Sequence, residues 1–295
     1  MNYEAVEKIA NAVLYEGYML YPYRASAVKN QQRFNFGVLY PREYCDLQAG
    51  SDNGQTQTEC LVLGNENTHL EVRVRFLQMH ARQDYQEGVE RTVCTPATRL
   101  LFLEPQPLRL NFRFEGVGGD LELRSIRVNH QCFKITLIVR NLTSVGNAED
   151  RDAILLRSLV SVHSILHAGG GEFISSIDPP EQFHAAVAEC RNIGAWPVLA
   201  GEEGQRDLVL SAPIILYDYP QIAPESAGDL FDGTEIDEIL ALRILTMTDA
   251  EKLEVRKGDD RARRILERTE ILPPEHFQKL HGALWGLRPV AEDPR

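Results

Sequence analysis

The sequence predicts an α+β fold, in which an N-terminal helix and an antiparallel β-rich half (a sheet or a sandwich) precede an α/β-to-helical C-terminal half. Three patterns support this prediction. Residues 4–15 repeat apolar side chains at helical spacing. Residues 34–142 mostly alternate apolar and polar side chains, which is the period of strands with one buried face. From about residue 234 onward the helical spacing returns.

The N-terminal helix is predicted from Val6, Ile9 and Val13, which recur on one helical face, and Gly17 is expected to end it. The helical spacing is clear over the whole of residues 4–15. We therefore expect an amphipathic helix whose apolar stripe packs on the rest of the fold.

The β-rich half is predicted from runs such as 70–76, 108–114 and 133–139, in which apolar and polar residues alternate. The glycine-rich stretch Gly116–Asp120 separates the second run from the next apolar pair, which is typical of a hairpin turn. Strands with one polar face in succession favour an antiparallel arrangement over a parallel sheet buried on both faces.

The pattern changes near residue 147, where we place a loose boundary between residues 1–147 and residues 148–295. No linker-like composition separates these regions, so they are expected to pack as one unit. Residues 150–167 are predicted as a helix, because Leu155, Leu159 and Leu166 belong to an apolar stripe. The elements predicted after it are a strand at 173–177, a helix at 181–191, strands at 196–200 and 208–216, and helices at 234–245, 249–257, 260–269 and 274–286.

The charge distribution limits the kinds of partner. The 295 residues contain 31 Lys and Arg against 43 Asp and Glu, a net charge of −12. Ten of the acidic residues and a single base lie between residues 201 and 238, so the negative charge is concentrated in one stretch. Such a stretch repels phosphate, which argues against nucleic acid or an anionic membrane as the partner.

The compartment predicted from the sequence is the cytoplasm. The N-terminus has acids where a signal peptide needs bases, and no run approaches the ~18 apolar residues of a membrane helix. The cysteines are odd in number and contain no CxxC pair, which indicates reduced thiols. They are Cys45, Cys60, Cys94, Cys132 and Cys190.

Residues 218–238, called the acidic loop below, hold seven carboxylates and no Lys or Arg. The part from Thr234 is explained as a capped helix start whose acids face the positive end of the helix dipole. Four carboxylates remain unexplained, and their spacing does not match an EF-hand. They are Asp218, Glu225, Asp229 and Asp232.

The segment 24–42 has the opposite charge, because it carries bases and no acid. Three interpretations of the acidic loop stay open. It is a structural loop paired with Arg24, Lys29 or Arg33, a surface that binds a partner, or a carboxylate site for a metal or for catalysis. The loop carboxylates and these three bases are the predicted partner-binding residues.

A metal site is a weaker hypothesis. His163 and His167 lie four residues apart on the predicted helix 150–167, a spacing that can place two imidazoles on one ion. His184 and Cys190 on the next predicted helix could complete a four-ligand set. No HExxH or CxxC motif supports this, and a core histidine bonded to a carbonyl is the simpler interpretation of each.

No catalytic residue and no cofactor can be assigned from the sequence. It lacks GxSxG, GxGxxG and a Cys-His signature, and Gly169–Gly171 lacks the Lys-Ser/Thr of a P-loop. These observations favour a protein that is not an enzyme, without deciding the question.

Several strings of residues are distinctive. They are YEGYMLYPYR (15–24), KNQQRFNFG (29–37), QTEC (57–60), DPPE (178–181), CRN (190–192), WPVLAGEEG (196–204) and the whole of 213–240. Together they resemble an uncharacterised protein family encoded beside high-affinity, actinobacterial-type nickel–iron (NiFe) hydrogenases. The resemblance covers most of the chain and implies a role in making, assembling or supporting a hydrogenase. It implies no activity and no residue roles.

The function expected is therefore that of an accessory protein for NiFe hydrogenase maturation or assembly. It would bind a protein partner, such as a hydrogenase subunit or a maturation factor, through the acidic loop and the segment 15–42. The alternative is a metal carrier or enzyme that uses the loop carboxylates and histidines. A third hypothesis is a structural subunit that self-associates through its C-terminal helices.

Overall fold

Apolar residues on one face of successive strands build two antiparallel sheets, and the α+β fold predicted from the sequence is confirmed. The computed structural model describes residues 3–15, 37–47, 52–82, 86–145 and 151–221, and isolated positions between 248 and 271. The chain divides into two units, one made of residues 1–18 and 32–222 and the other of residues 19–31 and 223–295. The sheets belong to the first unit.

The helices and strands follow one another in a simple order. Those described are α1 (Tyr3–Tyr15), α2 (Arg42–Leu47), β1 (Gln55–Leu63), β2 (His69–Ala81), β3 (Gln86–Cys94), β4 (Thr98–Arg99), α3 (Leu100–Leu103), β5 (Leu108–Phe114), β6 (Val117–Arg127), β7 (Cys132–Asn141), α4 (Arg151–Leu155), β8 (Leu159–Gly169), β9 (Glu172–Phe173), a 3-10 turn (Glu181–Phe183), α5 (His184–Ala188), β10 (Trp196–Leu199) and β11 (Leu208–Ala212).

The first sheet has the strand order β5-β6-β7-β1-β9, and the second has the order β10-β11-β8-β2-β3, with β4 paired to β2. Their inner faces share one apolar core, to which Val62, Phe133 and Leu137 contribute from the first sheet and Val72 and Leu166 from the second. The β-rich part is therefore a sandwich, one of the two architectures that the alternation predicts.

The predicted hairpin is confirmed. Phe114 pairs with Val117 across a two-residue turn, Glu115-Gly116, and Gly116 has a positive φ of 84° that a glycine adopts without strain. The turn is shorter than the glycine-rich string suggests, because Gly118 and Gly119 already belong to β6.

Helix α1 covers the outer face of the second sheet, as its apolar stripe predicts. Val6, Ala10 and Val13 are buried there against side chains such as Ile165 and Leu210. On the polar side of α1, guanidinium groups of β2 reach the helix. Arg73 donates to Glu7 at 3.0 Å, and Arg75 donates to Asn11 at 2.6 Å.

The helix predicted over 150–167 is wrong. Only Arg151–Leu155 is helical, and Leu159–Gly169 is the central strand β8 between β11 and β2. Every residue of β8 is buried, so it lacks the apolar–polar alternation by which a half-exposed strand is recognised. Apolar residues lie on both faces of β8 and are interrupted by Ser161, His163, Ser164 and His167, so their spacing resembles that of a helical stripe.

The following elements agree more closely with their predictions. The helix predicted over 181–191 is present as the 3-10 turn and α5, and the strands predicted at 196–200 and 208–216 are β10 and β11. The strand predicted at 173–177 is limited to β9. The predicted boundary near residue 147 lies outside the described residues, and strands from both sides of it, β2 and β8, pair in one sheet.

In the second unit, Glu270 accepts bonds from Lys252 at 3.1 Å and Arg256 at 2.7 Å, and Leu266 is fully buried. The predicted helices 234–245 and 274–286 lie outside the described residues. Within the part of the chain that the structure describes, no helix is both long enough and apolar enough to cross a bilayer.

Candidate functional site

The acidic loop begins at a carboxylate that is held firmly by the fold. Oδ2 of Asp218 accepts a hydrogen bond from the Ser175 hydroxyl at 2.5 Å, and Oδ1 accepts one from the backbone N–H of Leu199 at 2.8 Å. The N–H of Tyr219 donates to the carbonyl of Leu199 at 2.7 Å. Asp218 therefore ties the start of the acidic loop to the end of β10.

The Ser175 hydroxyl also holds the turn that follows it in the chain. It accepts hydrogen bonds from the N–H groups of Ile177 at 3.1 Å and Asp178 at 2.8 Å. Because Asp178 opens the DPPE string, Ser175 joins that string to Asp218. Three of the distinctive strings, DPPE, WPVLAGEEG and the segment from residue 213, are consequently linked through the Ser175 hydroxyl and the Asp218 carboxylate.

Tyr219, the next residue, has a left-handed backbone with φ of 55°. This conformation costs a non-glycine residue roughly 1 kcal/mol. The Tyr219 side chain packs against the core between the sheets. Burial of this ring and the bond to Leu199 offset the strain, so the chain direction after Asp218 is defined.

Two large apolar side chains lie exposed directly before this anchor. Ile215 is 82% exposed and Tyr217 is 84% exposed, whereas Ile214 and Leu216 pack against the cluster under α1. The alternation places Ile215 and Tyr217 on the outer side of an extended segment. Exposed apolar groups on a fixed backbone are typical of surfaces that bind other proteins.

A second carboxylate joins another pair of distinctive strings. Oε2 of Glu59, in QTEC, accepts the N–H of Arg191 at 2.8 Å, and the N–H of Glu59 donates to Asn192 Oδ1 at 2.7 Å. Oε1 of Glu59 accepts the Thr136 hydroxyl at 3.0 Å. Gln57 adds a bond to the Arg191 carbonyl at 3.0 Å. The CRN string is thereby fixed to β1 beside the sheet.

Sequence reasoning missed Glu59 as a structural residue, since its hydrogen-bond partners lie 77 to 133 positions away. Sequence reasoning also missed Glu122 on β6, whose side chain is 3% exposed and lies beneath Arg109, Arg124 and Arg140. Burial alone would raise the pKa of Glu122, but hydrogen bonds from Arg124 and Arg140 outweigh it and hold the pKa below its ordinary value.

The proposed metal ligands do not come together as the helix prediction required. His163 and His167 both lie on β8, where four residues span about 13 Å, too far for two imidazoles on one ion. The ring of His184 bonds the Pro179 carbonyl at 2.8 Å, and the Cys190 thiol points to the Ala186 carbonyl at 3.6 Å. Among the described residues, no three His, Cys, Asp or Glu side chains are placed to hold a metal.

Each histidine on β8 is buried and lies close to a polar group of the fold. Nδ1 of His163 lies 3.0 Å from the Ser161 carbonyl, and burial lowers the pKa of His163 to about 4. Burial also lowers the pKa of His167, partly countered by Asp207, whose carboxylate lies 3.8 Å from Nε2. Both imidazoles are therefore neutral at pH 7, as expected of core histidines.

Most of the residues predicted to bind a partner lie outside the described residues. These are Arg24, Lys29, Arg33, Glu225, Asp229 and Asp232. Asp218 is the member of that set that the structure places, and its carboxylate is engaged within the fold. All five cysteines are free thiols.

No protein-family model matches this chain, and no curated protein matches it.

Proposed function

We propose that this protein is an accessory factor for NiFe hydrogenase maturation or assembly that acts by binding another protein. The binding surface runs from Ile215 through Tyr217 into the acidic loop. The observation that carries the proposal is the pair of exposed apolar side chains held immediately before the Asp218 anchor. The link to a hydrogenase comes from the resemblance of the distinctive strings.

The apolar part of the surface would supply affinity. Aromatic side chains near the centre of an interface contribute disproportionately to binding, and Tyr217 offers a ring with a hydroxyl that can hydrogen-bond. The backbone beneath it is fixed by Leu199, Asp218 and Ser175. Less conformational entropy is therefore lost on binding than for a free tail.

The acidic part of the surface would orient the partner and raise the rate of association. Six carboxylates follow Asp218 in the acidic loop without an intervening base. Negative charge of this density attracts a basic partner and raises the association rate, with an effect that weakens at high salt. The protein partner expected is consequently a hydrogenase subunit or maturation factor that offers both basic residues and an apolar pocket.

The metal-carrier alternative has weaker support. It combined the loop carboxylates with histidines predicted on one helix, and His163 and His167 lie along a strand instead. The loop carboxylates Glu225, Asp229 and Asp232 lie outside the described residues. Asp218, the carboxylate of the acidic loop that the structure describes, is used in hydrogen bonds within the fold.

The experiment is affinity purification from cells that produce a high-affinity NiFe hydrogenase, followed by binding assays with the purified hydrogenase subunits. The double variant Ile215→Ser/Tyr217→Ser should lose the complex. Leu47→Ser, which changes a side chain 80% exposed on α2, is the matched control and should keep it. Asp229→Asn/Asp232→Asn should weaken the complex at low salt and change it little at high salt. Equal recovery of hydrogenase proteins by all these variants would contradict the proposal.

A further inference from the structure

Strand β5 forms one edge of the first sheet. It pairs with β6, and among the strands that the structure describes none lies on its other side. The strand carries Arg109, Asn111 and Arg113 on the outer face of the sheet, and apolar residues such as Leu110 and Phe112 on the inner face. An uncovered edge of this kind offers backbone groups to which another strand can pair.

The backbone of β5 presents hydrogen-bonding groups to this open edge. Gly118 lies opposite Arg113, and its N–H donates to Thr143 at 2.9 Å while its carbonyl accepts from the segment after β7 at 2.9 Å. Since Gly118 directs both of its backbone groups away from β5, Arg113 and Gly118 form a pair without hydrogen bonds between them. Such pairs alternate along an antiparallel ladder, so the N–H and C=O groups of Arg109, Asn111 and Arg113 point away from β6.

The apolar side of β5 is only partly covered. Leu121 on β6 is fully buried, whereas Leu110, which lies opposite it on β5, is partly exposed. Phe112 is also partly exposed, although its ring contacts Phe76 with the centroids 5.8 Å apart. An apolar side chain placed beside β5 on the inner face would therefore remove further apolar surface from water.

The side chains of β5 define the kind of strand that fits this edge. The strand contains arginines and no acid. On the side that is already occupied, the facing residues of β6 alternate between acidic and apolar. Glu122 lies opposite Arg109, with 3.4 Å between carboxylate and guanidinium, and Leu121 lies opposite Leu110. A strand with the same alternation on the open edge would place carboxylates beside the arginines and apolar groups beside the partly exposed inner face.

We propose that the open edge of β5 binds an extended segment of a partner protein in which acidic and apolar residues alternate. The segment adds as a further antiparallel strand, with backbone hydrogen bonds to Arg109, Asn111 and Arg113 and with its carboxylates beside the guanidinium groups. A second copy of β5 is a poor occupant, because fully overlapped antiparallel pairing would set Arg109 opposite Arg113 of the other copy. This edge is distinct from the surface that starts at Ile215 and does not rest on the function proposed above.

Fluorescence anisotropy with the full-length protein tests this proposal. The probe is a labelled peptide of the length of β5, 7 residues, in which Glu and Val alternate. It should bind, whereas a peptide of Lys and Val in the same pattern should not, because it meets the arginines with like charge. Methylation of the backbone nitrogens of the Glu residues should abolish binding, since their N–H groups face β5 in the antiparallel pairing. Methylation of the Val nitrogens, which face away from β5, should leave binding intact.

Variants of the protein locate the binding at β5. Arg113→Glu should weaken binding of the Glu–Val peptide by roughly tenfold. Arg206→Glu makes the same charge reversal at an exposed position beside β9, at the opposite end of the first sheet, and should bind as the wild type does. Asn111→Pro removes an N–H that points to the open edge and should also weaken binding. Thermal unfolding confirms that each variant is folded.

Amide exchange resolved by NMR gives an independent readout. The bound peptide should slow exchange at Asn111 and Arg113, whose N–H groups face the open edge, far more than at Leu110 and Phe112, whose N–H groups already bond to β6. No binding of the Glu–Val peptide, equal binding of the Lys–Val peptide, or equal affinity of the two methylated peptides would overturn the proposal. So would a dimer of the wild type that Asn111→Pro dissociates, because the edge would then belong to a second copy.

Discussion

The Ser175 hydroxyl donates a 2.5 Å hydrogen bond to Asp218, across 43 positions of the chain. Asp218 takes a second bond from the N–H of Leu199, and Ser175 itself accepts two N–H groups from the turn that follows it. One hydroxyl and one carboxylate therefore position the start of the acidic loop. The proposed binding surface depends on this pair for its rigidity.

Replacing Ser175 by Ala should lower the free energy of unfolding by about 2 kcal/mol, because the variant leaves a half-buried carboxylate oxygen and two N–H groups without their partner. Urea-induced unfolding followed by circular dichroism measures this. Thr98→Ala, which removes an exposed hydroxyl bonded to the Pro96 carbonyl, is the control and should cost less than 1 kcal/mol. Equal losses of unfolding free energy in the two variants would show that the hydrogen bonds of Ser175 stabilise the fold no more than the exposed bond of Thr98.

Stability should fall as the pH drops from 6.5 towards 4, because the pKa of His163 is lowered to about 4 in the folded protein. Between these values the unfolded chain binds the proton that the folded chain excludes, so the free energy of unfolding rises with pH and is fully developed above pH 6.5. The full effect is about 3 kcal/mol. His167, whose pKa is also lowered, adds a contribution of the same sign.

The variant His163→Gln keeps a donor near the Ser161 carbonyl and removes the titration. Chemical unfolding at pH 7, 6, 5 and 4.5 should therefore show a shallower dependence on pH for this variant than for the wild type. The lowered pKa of Glu122 acts only at lower pH, since its contribution is lost as the pH falls below its ordinary value of 4.5. Identical slopes for wild type and variant would contradict the buried, neutral state of His163.

Replacing Glu122 by Gln should destabilise the fold by about 2–3 kcal/mol, because it removes the charge that Arg109, Arg124 and Arg140 share at a nearly buried position. Glu104→Gln breaks an exposed pair with Arg127 at 3.8 Å and should cost less than 1 kcal/mol. The loss of stability in each variant is measured from its urea-unfolding midpoint. If Glu122→Gln lost less stability than Glu104→Gln, the proposed contribution of the Glu122 ion pairs to the fold would be refuted.

Adjacent glycines on β6 should respond differently to alanine. At Gly119 an added methyl would clash with the Arg140 carbonyl and with the Phe112 ring at 2.6 Å, and it should cost about 1–3 kcal/mol. At Gly118 the nearest atom is the Phe112 carbonyl at 3.5 Å. Gly118→Ala should be neutral or slightly stabilising, since alanine restricts the unfolded chain. Thermal unfolding of the two variants checks this, and similar midpoints would argue against the close approach of the Arg140 carbonyl and the Phe112 ring to Gly119.

The metal-carrier alternative is tested by elemental analysis of the purified protein, with and without His163→Gln. The geometry of β8 predicts that any metal found is unchanged by the substitution, because His163 has no second ligand within reach on its strand. A stoichiometric metal that disappears in His163→Gln would restore the alternative.

Periodicity predicted α1, the hairpin at Gly116 and the half-polar strands, since each has one buried and one exposed face. It could not predict β8, because a strand buried on both faces has no period to detect. The site was only partly predictable for a different reason. Asp218 is conspicuous in an acidic sequence, but its role as an anchor depends on Ser175 and Leu199, which nothing in the sequence pairs with it.

The proposed partner binds where the chain runs from Ile215 into the acidic loop. Hydrogen–deuterium exchange of the purified complex with a hydrogenase subunit or maturation factor locates the contact along the chain. Binding should slow exchange in peptides covering residues 213–238, and Tyr217→Ser should abolish this protection. A complex that forms with unchanged exchange over 213–238, and with protection elsewhere on the sandwich, would contradict the proposal.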